Sequence, residues 1–157
     1  MSCISEHLEI CCYRLAAVAL VSGMLLCCGC GKKSDGRLKS YPVHGQVTVD
    51  GKPTHGVYVF LNPAEQPRTH GIFPNAITNG EGEYWVSTYD AEDGAPLGDY
   101  VVTAKWPRGE GLQVHSESPD RLKGRYADPA KSSIKITVKE ARKNQPNHVP
   151  PLELMSK

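Results

Sequence analysis

The sequence predicts an all-β protein, a small antiparallel β-sandwich set behind an N-terminal signal segment. Three observations predict it. After residue 40 there is no helical periodicity of useful length. Short stretches of period-two alternation recur instead, separated by Gly, Pro, Asn and Asp turns. Finally, all six cysteines (Cys3, Cys11, Cys12, Cys27, Cys28 and Cys30) lie at or before position 30. A secreted domain without internal disulfides is held by its hydrophobic core, which needs roughly a hundred residues of sandwich. Residues 41–154 supply them.

The leader comes first. Leu15 to Leu26 is an uncharged apolar run preceded by Arg14. It is short of the about 20 residues that span a bilayer and has the length of a signal-peptide apolar region. It ends in Cys27-Cys28-Gly29-Cys30, followed by the polar Gly31-Lys32-Lys33-Ser34-Asp35-Gly36. An apolar run closing on a small residue and a cysteine resembles the bacterial lipoprotein signal, in which that cysteine is lipidated and becomes the mature N-terminus. On this resemblance Cys30, preceded by Gly29, is the lipidation site. Cys28 is the alternative, because Leu25 stands three positions before it. An uncleaved membrane anchor is a rival reading. Cys27 and Cys30 also form a C-x-x-C, which serves redox chemistry or half a zinc site, but the folded part holds no second pair. Gly31, not His, follows Cys30, so c-type haem attachment fails. The expected organisation is a lipoprotein-type signal peptide over 1–29, a flexible tether over 30–40 and a β-domain over 41–154.

Within the domain, Val43 to Val49 alternates, with Val43, Gly45, Val47 and Val49 on one face and His44, Gln46 and Thr48 on the other. Asp50-Gly51 is a hairpin turn signal. Val57 to Leu61 is apolar on both faces, which predicts a central strand covered on both sides. Residues 62–77 hold three prolines and little pattern, a long connection of the kind that carries binding loops. Asn79-Gly80-Glu81-Gly82 is a turn. Glu83 to Thr88 is a strand with Tyr84 and Val86 inward and Trp85 facing out or against a loop.

Thr88 to Ala104 organises the rest. Tyr89 to Asp93 is acidic and loop-like, Gly94, Pro96 and Gly98 are turn residues, and Tyr100 to Ala104 alternates as a half-buried strand. Gly98 is expected to need a special backbone angle. Leu97-Gly98-Asp99-Tyr100 suits a tyrosine-corner-like device, in which the hydroxyl bonds nearby backbone. Residues 107–130 are irregular, Ser133 to Val138 alternates, the three prolines of 144–151 exclude a central strand, and Leu152 to Leu154 is a short edge strand.

These elements resemble a known family. Val43 to Pro53 is similar to the G-x-V-x-x-D-G-K-P opening of bacterial lipoproteins with a carboxypeptidase regulatory-like, or transthyretin-like, domain. Thr78 to Tyr84 resembles that family's T-x-x-x-G-x-F/Y hairpin, Asp93 to Val102 its D-G-A-P-x-G-x-Y-x-V turn, and Arg125 to Pro129 its Y-x-D-P segment. The resemblance implies an Ig-like, transthyretin-like Greek-key sandwich of about seven strands and an extracytoplasmic, membrane-anchored location. It implies no catalytic residues. The Tyr-Arg-Gly-Ser type ending of the transthyretin-type hydrolases is absent, since the chain ends Glu153-Leu154-Met155-Ser156-Lys157.

The residues point the same way. A net charge of +1 argues for no nucleic-acid partner, although acidic residues gather over 81–99 and basic ones over 121–143. The domain has no Cys nucleophile, no G-x-S-x-G elbow beside His115-Ser116, no phosphate-binding Gly-rich loop and no RNA-binding aromatic motif. His44, His55, His70, His115 and His148 are scattered, though strands could bring some together. Asp90, Glu92 and Asp93 form a carboxylate cluster that could bind Ca²⁺ but lacks the EF-hand register; solvated loop charge is the simpler reading. Trp85, Trp106 and Tyr89 could offer an aromatic platform for sugars, although aromatics on strands commonly serve as core or edge cover. The expectation is a non-catalytic envelope lipoprotein, not an enzyme, with no cofactor. Its partners would be the membrane, through the lipid anchor, and an envelope protein or glycan. The alternative is a carbohydrate- or peptide-binding module using loops 62–77 and 107–130.

Overall fold

Eleven strands occur among the described residues: Ser40–Tyr41 (β1), Val43–Val49 (β2), Lys52–Pro53 (β3), Tyr58–Pro63 (β4), Asn75–Ile77 (β5), Glu83–Trp85 (β6), Ala95–Pro96 (β7), Gly98–Lys105 (β8), Lys135–Val138 (β9), Asn147–His148 (β10) and Leu152–Leu154 (β11). The computed structural model describes residues 36–65, 73–109 and 118–157. Among these, no helix is long and apolar enough to cross a membrane.

β2 is the axis of one sheet. β3 and β6 pair with it antiparallel, and β10 and β11 pair with it parallel. The second sheet runs β5-β4-β8-β9, antiparallel throughout. An Asn75–Ser87 bridge links the sheets at one side, and β1 pairs with β7. The all-β sandwich class is as expected. The C-terminal strands add a feature that alternation cannot show, because they run parallel to β2 where hairpin logic suggests antiparallel neighbours.

The core follows the predicted faces. Val43, Val47, Val57, Val59, Leu61, Val86 and Leu122 are fully buried, each contributing about 1.5–3 kcal/mol relative to exposure. At the first hairpin, Asp50 (φ 52°) and Gly51 (φ 77°) both have positive φ, the primed-turn geometry that matches strand twist. The Asp50 carboxylate accepts hydrogen bonds from the Ser156 hydroxyl and amide, and these hold its pKa below the ordinary value. In the second turn the Asn79 side-chain oxygen accepts from the amides of Glu81 (3.0 Å) and Glu83 (2.9 Å). The tyrosine-corner expectation is met: the buried Tyr100 hydroxyl donates to the Pro96 carbonyl at 2.9 Å. Gly98 has φ +147° as expected, but Gly94 is the tighter position. Its φ is +91°, and a Cβ there would lie 1.8 Å from the Tyr41 carbonyl oxygen.

Three expectations change. The connection 62–77 is partly sheet, since Asn62 and Pro63 end β4 and Asn75–Ile77 form β5; three residues are too few to register as alternation. Within 107–130, Asp120 caps a turn that drives Leu122 into the core. Finally, β4 is central in its sheet but is not covered on both sides. Val59 and Leu61 face the core, whereas Tyr58 and Phe60 are half-buried on the other face, with ring centroids 6.3 Å apart.

Candidate functional site

The acidic loop is occupied by its own structure. The Asp93 carboxylate accepts from the amides of Thr88 (2.6 Å) and Tyr89 (3.1 Å), and the Thr88 hydroxyl donates to the Gly94 carbonyl. Asp90 pairs with Arg37 at 3.2 Å, and Glu92 with Lys143 at 3.9 Å. Each carboxylate of the calcium candidate thus has a separate partner, and no group of three metal-ligating residues converges among the described residues. The loop serves instead as a seat for residues leading into β1. The Arg37 guanidinium lies 5.4 Å from the Tyr89 ring centroid, and the Leu38 amide donates to the Tyr89 hydroxyl at 3.2 Å. The end of the expected tether is therefore docked on the sandwich, with Ser40–Tyr41 inside a strand.

The three candidate aromatics do not form one platform. Tyr89 is engaged as described. Trp106, at the end of β8, carries the Arg121 guanidinium over its ring at 4.7 Å. Asp120 fixes this corner by accepting from the amides of Trp106 (2.8 Å), Leu122 (3.0 Å) and Gly124 (2.9 Å). One face of Trp106 is thereby closed to a sugar. Among the described residues no ring contact joins any two of Trp85, Tyr89 and Trp106.

Trp85 instead belongs to a row that the sequence did not reveal. It pairs with His44 across β6 and β2, and His44 pairs with His148 across β2 and β10. All three side chains are on the outward face. The rings of Trp85 and His44 are 4.6 Å apart and tilted by 40°, and those of His44 and His148 are 5.8 Å apart and near perpendicular. Trp85 and His44 are half-exposed and His148 is exposed. The backbone holding the row is fixed on both sides: the Asn147 amide donates to the Pro42 carbonyl and the Val149 amide to the His44 carbonyl, each at 2.9 Å. The Asn147 side chain clamps β10 further through the backbone of Lys139.

Two clefts share no lining residue with this row. One, of about 570 Å³, is polar and lined by Lys39, Tyr41, Glu140, Arg142 and Asn144; in it the Tyr41 hydroxyl donates to Glu140 at 3.1 Å while Lys39 covers the ring. The other, of about 350 Å³, lies over Asp99, Tyr100 and Thr137. Cys30 and Cys28, the lipidation candidates, lie outside the described residues, as do parts of the loops 62–77 and 107–130.

No family model matches the chain, and no curated protein matches it. A solved structure that it is similar to is the dioxygenase domain of a dioxygenase carbohydrate-binding protein fusion from the cellulolytic bacterium Streptomyces sp. SirexAA-E. The identity is 17% and the TM-score 0.35, over 78% of this chain and 82% of that one. The expectation that the chain is not an enzyme is withdrawn, the similar structure being named a dioxygenase domain. At that TM-score the likeness assigns no reaction to this chain.

Proposed function

We propose that the chain is a membrane-tethered, extracytoplasmic β-sandwich module that presents a binding surface to another component of the cell envelope. Cys30 carries the lipid, and the sandwich begins shortly after it. The observation that carries this reading is the partition of cysteines: every one lies at or before Cys30, and the sandwich from Gly36 onward has none. A core of buried aliphatic side chains that needs no disulfide leaves those cysteines to the leader. Acyl chains on Cys30 would hold the module at the membrane, each buried methylene adding about 0.8 kcal/mol. The docking of Arg37 and Leu38 on Asp90 and Tyr89 supports an entry of the tether at a defined place on the sandwich. The resemblance to lipoproteins with a carboxypeptidase regulatory-like domain supports the same reading.

Mass spectrometry of the mature N-terminal peptide tests it. A peptide beginning at Cys30 and carrying acyl mass is expected; one beginning at Cys28 moves the lipid to the alternative site. An unmodified N-terminus at Met1 overturns the reading.

A second reading, that the ligand is a glycan, draws on Trp85, a half-exposed indole braced by His44. Such a face suits the apolar side of a sugar ring. Binding on a glycan array should disappear in Trp85→Ala and persist in Trp106→Ala, because Trp106 is already covered by Arg121. Equal binding by both variants contradicts it.

A further inference from the structure

The geometry points to a divalent transition-metal site made by His44 and His148, with Cu²⁺ its tightest ion. Directly paired residues on adjacent strands present their side chains on the same face of a sheet, and this pair stands in register on β2 and β10. A centroid separation of 5.8 Å is of the size that two imidazoles binding one ion would have, at imidazole–metal bonds of about 2.0–2.1 Å. Imidazole suits copper, zinc and nickel, and copper leads the divalent series.

The pair is preorganised. His44 is confined on its far side by Trp85 at 4.6 Å, and backbone bonds on either side of His148 hold β10 to β2. Ligands held by packed, hydrogen-bonded frames lose little freedom on binding. One pair further along the same face Glu83 stands opposite Gln46, adding negative charge near the row without joining the ligands. No third His, Cys, Asp or Glu completes a group of three among the described residues. The described residues thus supply two ligands and leave the remaining coordination positions to water or an incoming donor.

Trp85 makes the site measurable. The chain has two tryptophans, so Trp106→Phe leaves Trp85 as the sole indole, next to the site. The test titrates Cu²⁺ into full-length Trp106→Phe protein in detergent, with its cysteines alkylated so that the leader offers no thiols. Saturable quenching of Trp85 is expected. Adding His44→Ala or His148→Gln should weaken it by roughly 100-fold, because each ring contributes to a two-point attachment. His148 is exposed, so His148→Gln retains the fold, and an unchanged melting temperature checks this. Quenching that is not saturable, or that is equal in the His148→Gln protein, overturns the assignment.

Discussion

The Tyr100 hydroxyl donates to the Pro96 carbonyl oxygen at 2.9 Å, closing the turn that feeds the longest strand of the sandwich. Both residues are buried, so the carbonyl has little access to water in place of the phenol. Another buried tyrosine of the core, Tyr84, is its opposite. Its hydroxyl lies over Gly45, where a Cβ would be 2.3 Å from it, and has no hydrogen-bond partner.

This contrast predicts opposite outcomes from one chemical change. Tyr100→Phe strands the Pro96 carbonyl and should cost about 1–2 kcal/mol. Tyr84→Phe removes a buried hydroxyl that pays desolvation without a bond, and should be neutral or stabilising by up to about 1 kcal/mol. Urea unfolding of the two variants checks this; equal destabilisation would refute the contrast.

The glycine at 94 should be irreplaceable. Gly94→Ala meets the Tyr41 carbonyl oxygen at 1.8 Å and also suffers from φ +91°, so a loss of about 3 kcal/mol or more is expected. Gly124 has a similarly positive φ of +74° but open space around it. Gly124→Ala should therefore cost only the backbone term, about 1–2 kcal/mol. Thermal melts separate the two, and a smaller loss at Gly94 than at Gly124 would contradict the close approach.

Alkaline pH should weaken the fold through its tyrosines. Burial, helped by the nearby Tyr89, pushes the Tyr100 phenol up to about 12, and burial raises Tyr84 as well. In the unfolded chain a phenol titrates near 10. Their stabilising contribution is therefore complete below about pH 10 and is lost as pH rises toward about 12. The melting temperature should fall across that window, and less steeply in Tyr84→Phe. A flat profile would contradict the burial of both phenols.

Much of this architecture was legible in the sequence, for a local reason. β2 and β11 have the bounds expected, because strict alternation and a turn or proline boundary define them. The tyrosine corner was legible because its partners are four residues apart. β1, β5, β7 and β10 were not, being two or three residues long and held by pairing with distant strands. The candidate surface fared similarly. Trp85 was singled out, but its neighbours His44 and His148 come from the two ends of the domain through a parallel pairing that no local pattern signals. Trp106 and Asp93 looked available because composition does not show that Arg121 covers one and backbone amides occupy the other.

The proposal of a lipid-tethered module is tested most directly by fractionating cells that express the wild type, Cys30→Ser and Cys28→Ser. Wild-type and Cys28→Ser protein are expected in the membrane fraction, and Cys30→Ser protein in the soluble fraction with its sandwich intact. Membrane attachment undiminished in both variants, with no acyl mass on the wild type, would contradict it.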